Sequence, residues 1–233
     1  MHPRRVLHAL EIKTGKEKWR YTVPGEKETF ISSPVLLNDV AYFSTLNGSF
    51  HAVDIQKRQQ KWVFKTKGDV SRPAISEGTI YVGSKGYLYT IDGESGKEKW
   101  NFKVKDVPGV PVIAEGAVYF RTAEGVLYGL DARTGSQNWT MKVGGKNQQV
   151  FPITSLSIGT ELAVFNKAIF FPGAEKETDF LYSVDAGTGQ LRWRFETGGP
   201  CRTPIVAESI VYIGCFGNFH AVGRPERSKE VEP

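Results

Sequence analysis

Cysteine, methionine and histidine are scarce in this chain, at two, two and four residues in 233. Cys201 and Cys215 are neither adjacent nor spaced as C-x-x-C. His2, His8, His51 and His220 are scattered, with no H-E-x-x-H or related spacing, so no metal or haem site is expected. No run of 18 apolar residues occurs, and no membrane-spanning segment is expected. The start, Met1-His2-Pro3-Arg4-Arg5, shows no apolar signal region and no lipid-accepting cysteine. Helical periodicity is nowhere sustained. A block of one charge sign is missing too. Lys13, Lys16, Lys18, Lys57, Arg58, Lys61, Lys97 and Lys99 are interspersed with Glu17, Glu94 and Glu98, so the formal charge of +5 reads as a solvated rim. Nucleic acid is therefore not an expected partner.

What the chain does have is one motif repeated five times. A-x-[DE]-x-x-[TS]-G-K-x-x-W, or a close relative, first runs from Ala9 through Glu11, Thr14 and Gly15 to Trp19. The other copies end at Trp62, Trp100, Trp139 and Trp193, with Asp54, Asp92, Asp131 and Asp185 eight residues earlier. All five tryptophans occupy this slot, at spacings of 43, 38, 39 and 54 residues. A period of about 40 means units that bury their apolar faces against neighbours. It is short for two long helices but comfortable for four strands. Thr79–Val82, Ala117–Phe120 and Ile210–Ile213 are β-branched and aromatic runs, apolar on both faces, as for a strand between two sheets. Before such runs stand Asn38-Asp39, Glu77-Gly78, Glu115-Gly116 and Glu208-Ser209; after them stand Asn47-Gly48, Lys85-Gly86, Glu124-Gly125 and Phe216-Gly217. These are hairpin turns. The unit is a four-stranded antiparallel meander, and the chain is all-β.

The motif has a physical reading. The aspartate and the Thr-Gly fall in the turn between the third and fourth strands, where carboxylate and hydroxyl accept backbone N–H groups. Gly15, Gly96, Gly135 and Gly189 take the left-handed conformation there, while the second copy has Lys57-Arg58 instead. A small residue (Ala9, Ala52, Thr90, Gly129, Ser183 or Ala221) marks the third strand, where a larger one would collide, with the tryptophan of an adjacent repeat as the expected obstacle. His8, His51 and His220 share the slot beside it and are read as structural. The motif residues are taken to specify the fold and not a catalytic set. Trp100, in mid-array, is expected to be buried between neighbouring sheets.

This motif resembles the tryptophan-docking repeat of PQQ-type β-propellers, a family that includes quinoprotein alcohol dehydrogenases and the outer-membrane assembly lipoprotein BamB. The resemblance covers about residues 3–223. It implies a β-propeller of four-stranded blades: a half blade at 5–24, full repeats at 32–67, 70–105, 108–144 and 150–198, and a partial blade at 203–222. The tail 224–233 is expected to be disordered. Twenty-one strands make five blades if the ring closes; the alternative is an arc of a seven- or eight-bladed ring, with further blades from a longer chain. Quinoprotein dehydrogenases of the family carry a vicinal cysteine pair over the cofactor and a Glu/Asn/Asp calcium set. This chain lacks the pair, so no catalytic residue and no cofactor is expected. PQQ with calcium belongs to the alternative, a fragment of a quinoprotein alcohol dehydrogenase. The resemblance implies a non-catalytic scaffold or sensor that binds another protein, with cell-envelope assembly as the leading role and the sensing region of a larger receptor or kinase as a third reading. It also implies the periplasm or cell envelope; the missing signal region makes the cytoplasm the alternative.

Two local features remain. The 54-residue gap before Trp193 is about 15 longer than its neighbours. The excess falls at Lys146–Thr160, before a first strand, and at Gly173–Asp179, between second and third strands. In a meander those connections share one edge, opposite the Thr-Gly turns. Gln148, Gln149, Phe151, Glu175, Lys176 and Glu177 are accordingly the candidate partner surface. In the last repeat a hairpin at Glu208-Ser209 pairs Ala207 with Ile210, which sets Cys201 opposite residue 216. A disulfide to Cys215 then needs a one-residue shift of register; two buried free thiols are the alternative.

Overall fold

The computed structural model describes residues 6–24, 32–45, 48–68, 70–143 and 162–223. Twenty-one strands and no helix occur among them. The chain divides into two compact units, residues 1–110 and 111–233. The first holds a two-stranded sheet, β1 (Val6–Leu10) and β2 (Glu17–Thr22), and two four-stranded meanders. One meander comprises β3 (Val35–Leu37), β4 (Val40–Ser44), β5 (Ser49–Asp54) and β6 (Gln59–Lys65); the other comprises β7 (Ala74–Ser76), β8 (Thr79–Ser84), β9 (Tyr87–Asp92) and β10 (Glu98–Lys103). The second unit begins with β11 (Val112–Ala114), β12 (Ala117–Arg121), β13 (Val126–Asp131) and β14 (Gln137–Lys142). Next come β15 (Ala163–Phe165), β16 (Ala168–Glu175), β17 (Thr178–Asp185) and β18 (Leu191–Glu196). A three-stranded sheet of β19 (Ile205–Ala207), β20 (Ile210–Cys215) and β21 (Asn218–Val222) ends the described chain. Every neighbouring pair is antiparallel. The expected tail 224–233 lies outside the described residues.

The turns follow from the residues that occupy them. Glu77-Gly78, Glu115-Gly116 and Glu208-Ser209 take positive φ at both positions, the geometry that matches the right-handed strand twist. β4 and β8 are buried on both faces, as apolar runs between two sheets must be. In the first unit Tyr42, Phe50 and Ala52 pack on Ile80, Val82 and Ile91. In the second, Tyr119, Leu127 and Trp139 pack on Ile169, Phe171, Val184 and Ala186.

Tryptophan docks sheet upon sheet. The Trp62 indole N–H donates to the Gly93 carbonyl at 3.1 Å, and Tyr42 Oη donates to the same oxygen at 3.1 Å. Trp139 repeats the arrangement on the Ala186 carbonyl at 2.9 Å. Each ring lies on the glycine of the receiving turn. A Cβ on Gly96 would stand 2.6 Å from Trp62 Cγ, and one on Gly189 2.5 Å from Trp139 Cε3, besides the strain of φ near +70°. Asp185 Oδ1 holds its turn by accepting the N–H groups of Gly187 and Thr188 at 3.0 and 2.9 Å and the Thr188 hydroxyl at 3.0 Å. Asp131 and Asp92 do likewise with Thr134 and Ser95. In the divergent copy Asp54 still accepts from Gln56 and Lys57, while Arg58 adopts φ +57°, at a cost of about 1–2 kcal/mol for a residue with a Cβ.

Two expectations need correcting. The small residue faces the tryptophan of its own sheet, not of an adjacent repeat: Ala9 pairs with Trp19, Ala52 with Trp62, Thr90 with Trp100, Gly129 with Trp139 and Ser183 with Trp193. A Cβ on Gly129 would overlap the Trp139 ring. The ring leans across its strand partner before reaching the next sheet, so the partner sets the clearance. Burial is also uneven. Trp139 is 9% exposed, Trp19, Trp62 and Trp100 are half-buried, and Trp193 is 37% exposed. These residues sit on the outermost strand of their sheets, where one indole edge meets water. Trp193 has no partner for its indole N–H among the described residues, only a ring contact with Phe170 at 5.8 Å.

Cys201 and Cys215 form a disulfide. Ile205 pairs with Tyr212 and Ala207 with Ile210, but Cys201 bridges Cys215, so the register shifts by one residue along the hairpin.

Trp139→Ala should cost about 3–5 kcal/mol, and Trp193→Ala about half of that or less, because a third of its ring surface is already wet. Urea unfolding of both variants checks this; equal losses would refute the docking role. Thiol titration of the unreduced, denatured chain should find no free thiol. Reduction should then lower stability by about 3 kcal/mol, as expected for a crosslink closing a loop of about 15 residues. Two titratable groups before reduction would exclude the bond.

Candidate functional site

The sheet β15–β18 departs from the repeat on the edge opposite its Thr-Gly turn. β16 and β17 have eight residues each, whereas β4, β8, β12 and β20 have five or six. The expected loop Gly173–Asp179 is therefore not a loop. Pro172 pairs with Leu181, Gly173 with Phe180, Ala174 with Asp179 and Glu175 with Thr178, leaving only Lys176-Glu177 as the turn. Alternating residues that can pair across a two-residue turn gain ladder hydrogen bonds, which a loop would forgo. The hairpin arm projects by roughly two residues, about 7 Å, beyond its counterparts.

The projecting arm is braced from two sides. Among the described residues β15 pairs with β16 no further than Ala163 with Phe170, so Pro172 has no described ladder partner on that side. Its carbonyl accepts from Arg121 Nη1, at the end of β12. Arg121 is buried, with its guanidinium 5.6 Å from the Phe171 ring centroid; burial pulls its pKa down to about 10, so it stays charged at neutral pH. On the other side, Glu175 accepts from Arg194 of β18 and from Tyr182 Oη at 3.0 Å. Arg194 lies 4.7 Å over the Phe180 ring. The Arg194 hydrogen bond holds the pKa of the Glu175 carboxyl below its ordinary range, and burial raises the pKa of the Tyr182 phenol and of the Asp179 carboxyl. Gly173 leaves room for the Tyr182 ring, whose Cε2 would stand 3.0 Å from any Cβ there.

The candidate surface thus divides. Glu175 is half-buried and turned to bracing, whereas Lys176 and Glu177 are exposed at the tip. Gln148, Gln149 and Phe151, with the whole expansion Lys146–Thr160, lie outside the described residues. Arg121, Tyr182 and Arg194 were not anticipated. One signal was visible: the slot of Arg121 holds Ser44, Gly83, Pro172 and Gly214 in the other repeats, and a guanidinium among small residues needs a reason.

Nothing in the site resembles a catalytic set. No nucleophile stands beside a base, and no cluster of three His, Cys, Asp or Glu residues able to hold a metal occurs among the described residues. The three described histidines make local contacts: His8 Nδ1 meets Glu17 at 2.7 Å, His51 stacks on Phe43 at 5.2 Å, and His220 Nε2 meets the Thr197 carbonyl at 3.1 Å. No helix long and apolar enough to cross a membrane occurs among the described residues.

The carboxyl of Glu175 should titrate below the ordinary 4.5 and move back up in Arg194→Ala, as followed by carbon NMR. A depressed folded value means that the brace contributes fully above pH 4.5 and is lost as pH falls through the folded pKa. An ordinary midpoint that the substitution leaves unmoved would show that the contact is not held in solution.

Comparison with known proteins places this geometry. The family model described as outer membrane protein assembly factor BamB matches residues 2–71 and 64–178. No curated protein matches the sequence. Among solved structures, BamB from Moraxella catarrhalis is similar at 17% identity and a TM-score of 0.72, over 94% of this chain and 68% of that one. The computationally designed protein Ika8 is similar at 14% identity and a TM-score of 0.74, over 91% and 63%. Quinohemoprotein alcohol dehydrogenase from Comamonas testosteroni is similar at 17% identity and a TM-score of 0.60, over 82% and 41%. The chain thus spans about two thirds of the first two and less than half of the third. At these identities the likeness concerns the fold: the sheets are blades of a PQQ-type β-propeller.

Proposed function

We propose that this chain, which belongs to the family described as outer membrane protein assembly factor BamB, is a non-catalytic propeller that binds another protein as a scaffold in cell-envelope assembly. The observation that carries the reading is the braced hairpin β16–β17. Propeller blades need only short second and third strands to pack, and the other blades have them. Here the arm is longer, its carbonyl is capped by a buried arginine, and its carboxylate is clamped by a second arginine. A rigid projection with a charged tip suits protein contact, because a preordered surface loses less entropy on binding. The disulfide supports an oxidising compartment, hence periplasm or envelope.

The residues present do not fit the cofactor of the dehydrogenase relatives. The family's cofactor is covered by adjacent cysteines; here the two cysteines are 14 residues apart and bonded to each other across one hairpin. No described carboxylate cluster could hold calcium.

Replacing Ala174–Asp179 by a two-residue Asn-Gly turn should keep the melting temperature within about 3 °C, since a trimmed surface hairpin costs little. It should also abolish capture of an outer-membrane assembly protein from an envelope extract, with the bound protein identified by mass spectrometry. Capture unaffected by the deletion would move the interface elsewhere. Dye-linked alcohol oxidation on adding PQQ and calcium would overturn the non-catalytic reading.

A further inference from the structure

A second surface lies in the first unit, on the edge of β7–β10 opposite its Thr-Gly turn. Lys67 follows β6, Lys85 stands in the β8–β9 turn, and Lys103 and Lys105 end β10 and begin the next connection; all four are exposed. The chain forces them together. The Val104 N–H donates to the Gly86 carbonyl at 3.0 Å, which sets Lys103 and Lys105 on either side of that turn. Lys103 pairs across the strands with Tyr87. A Cβ on Gly68 would stand 3.2 Å from Lys85 Cβ, so the connection after β6 passes against the same turn. Lys67 Nζ donates to Tyr87 Oη at 3.1 Å and lies 4.4 Å from the centre of its ring.

The cluster lacks compensation. Lys85, Lys103 and Lys105 have no carboxylate partner among the described residues, and Lys67 is held by a neutral phenol. Asp106, next in sequence, is half-buried and engaged in an interaction of its own. The opposite edge of the same unit is balanced: Lys61 pairs with Glu94 at 2.7 Å, Lys57 lies 4.0 Å from Asp54, and Glu98 stands beside Lys97 and Lys99. Bringing like charges together opposes folding, and no packing contact here requires four lysines.

We propose that this edge of the β7–β10 blade binds an acidic polypeptide segment, its carboxylates set on Lys67, Lys85, Lys103 and Lys105. Three observations select that partner among anions. Lysine is a point charge suited to single carboxylates, whereas planar bidentate phosphate recognition favours arginine. Single-stranded nucleic acid needs open aromatic faces for stacking, but Tyr87 is covered by Lys67 and stacked on Tyr89 at 5.5 Å. A lipid surface needs apolar anchors, and the large exposed apolar residues described in this unit, Leu10, Ile12 and Leu36, lie on other sheets. An extended chain sets alternate side chains about 7 Å apart, a spacing that lysines on neighbouring strands and turns can meet.

This surface shares no residue with the hairpin of the second unit, so the two readings fail separately. Fluorescence anisotropy of labelled decaglutamate with the full chain tests it at about 0.05 M salt, where charges act across ~10 Å or more. Lys85→Glu with Lys103→Glu should weaken binding about tenfold or more, while Lys16→Glu with Lys97→Glu, an equal change of net charge on the opposite edge, should change it less than about twofold. The glutamine pair Lys85→Gln with Lys103→Gln gives an intermediate loss and serves if charge reversal impairs folding. The hairpin-shortened protein should bind decaglutamate as the parent does. Equal losses from the two glutamate pairs, or no binding at low salt, would overturn the proposal. So would decathymidylate or phosphatidylglycerol vesicles binding through Lys85 and Lys103 more tightly than decaglutamate.

Discussion

An indole ring laid flat on a glycine is the contact on which the blades depend. Trp62 on Gly96 and Trp139 on Gly189 leave no room for a Cβ, and the same glycines need positive φ to close their turns. One residue type therefore answers two demands, and alanine would fail both. The indole N–H adds direction, since its bond to the Gly93 or Ala186 carbonyl fixes how far one sheet slides over the next. That carbonyl is aimed by the turn, and the turn is held by aspartate Oδ1 and the neighbouring hydroxyl. The motif is thus a chain of dependencies: carboxylate to turn, turn to carbonyl, carbonyl and glycine to indole. The Asp185 carboxyl is held down to about 2, by the Arg192 hydrogen bond first and by Thr188 after it.

Docking at one edge frees the other. Nothing in the tryptophan contact depends on how far the second and third strands run past it, so the opposite edge can change length and charge without disturbing the stack. Loop extension there costs only slowly growing entropy. Both unusual surfaces, the braced hairpin of the second unit and the lysine cluster of the first, lie on this unconstrained edge of their own blade.

Much of this was legible in the sequence because it rests on local chemistry. Strand positions followed from β-branched runs between Glu-Gly and Lys-Gly turns, and the Ala207–Ile210 pairing followed from Glu208-Ser209 alone. Family and propeller class followed from the five-fold motif. What local chemistry does not contain was missed. The obstacle facing the small residue is set by how the indole leans across its own sheet, which no spacing reveals. Gly173–Asp179 read as a loop because the extra length before Trp193 was placed between the second and third strands, whereas that length is taken up by further pairing of the same two strands. The one-residue shift between Ala207–Ile210 and Cys201–Cys215 is a property of the whole hairpin, not of its turn.

Arg121 shows how the base of the projecting hairpin is held. Taking a guanidinium out of water is unfavourable, and the fall of its pKa to about 10 records that cost. The Pro172 carbonyl has no strand donor among the described residues, and a carbonyl shielded from water without a donor costs about 1–3 kcal/mol. Arg121 supplies the donor and lays its charge near the Phe171 ring. The same position in the other blades, Ser44, Gly83 and Gly214, has its carbonyl met by a backbone N–H, from Ser32, Ser71 and Arg202. Arg121 thus fills at Pro172 a role that a backbone N–H fills in those blades, at the base of the two residues by which β16 and β17 outrun their counterparts.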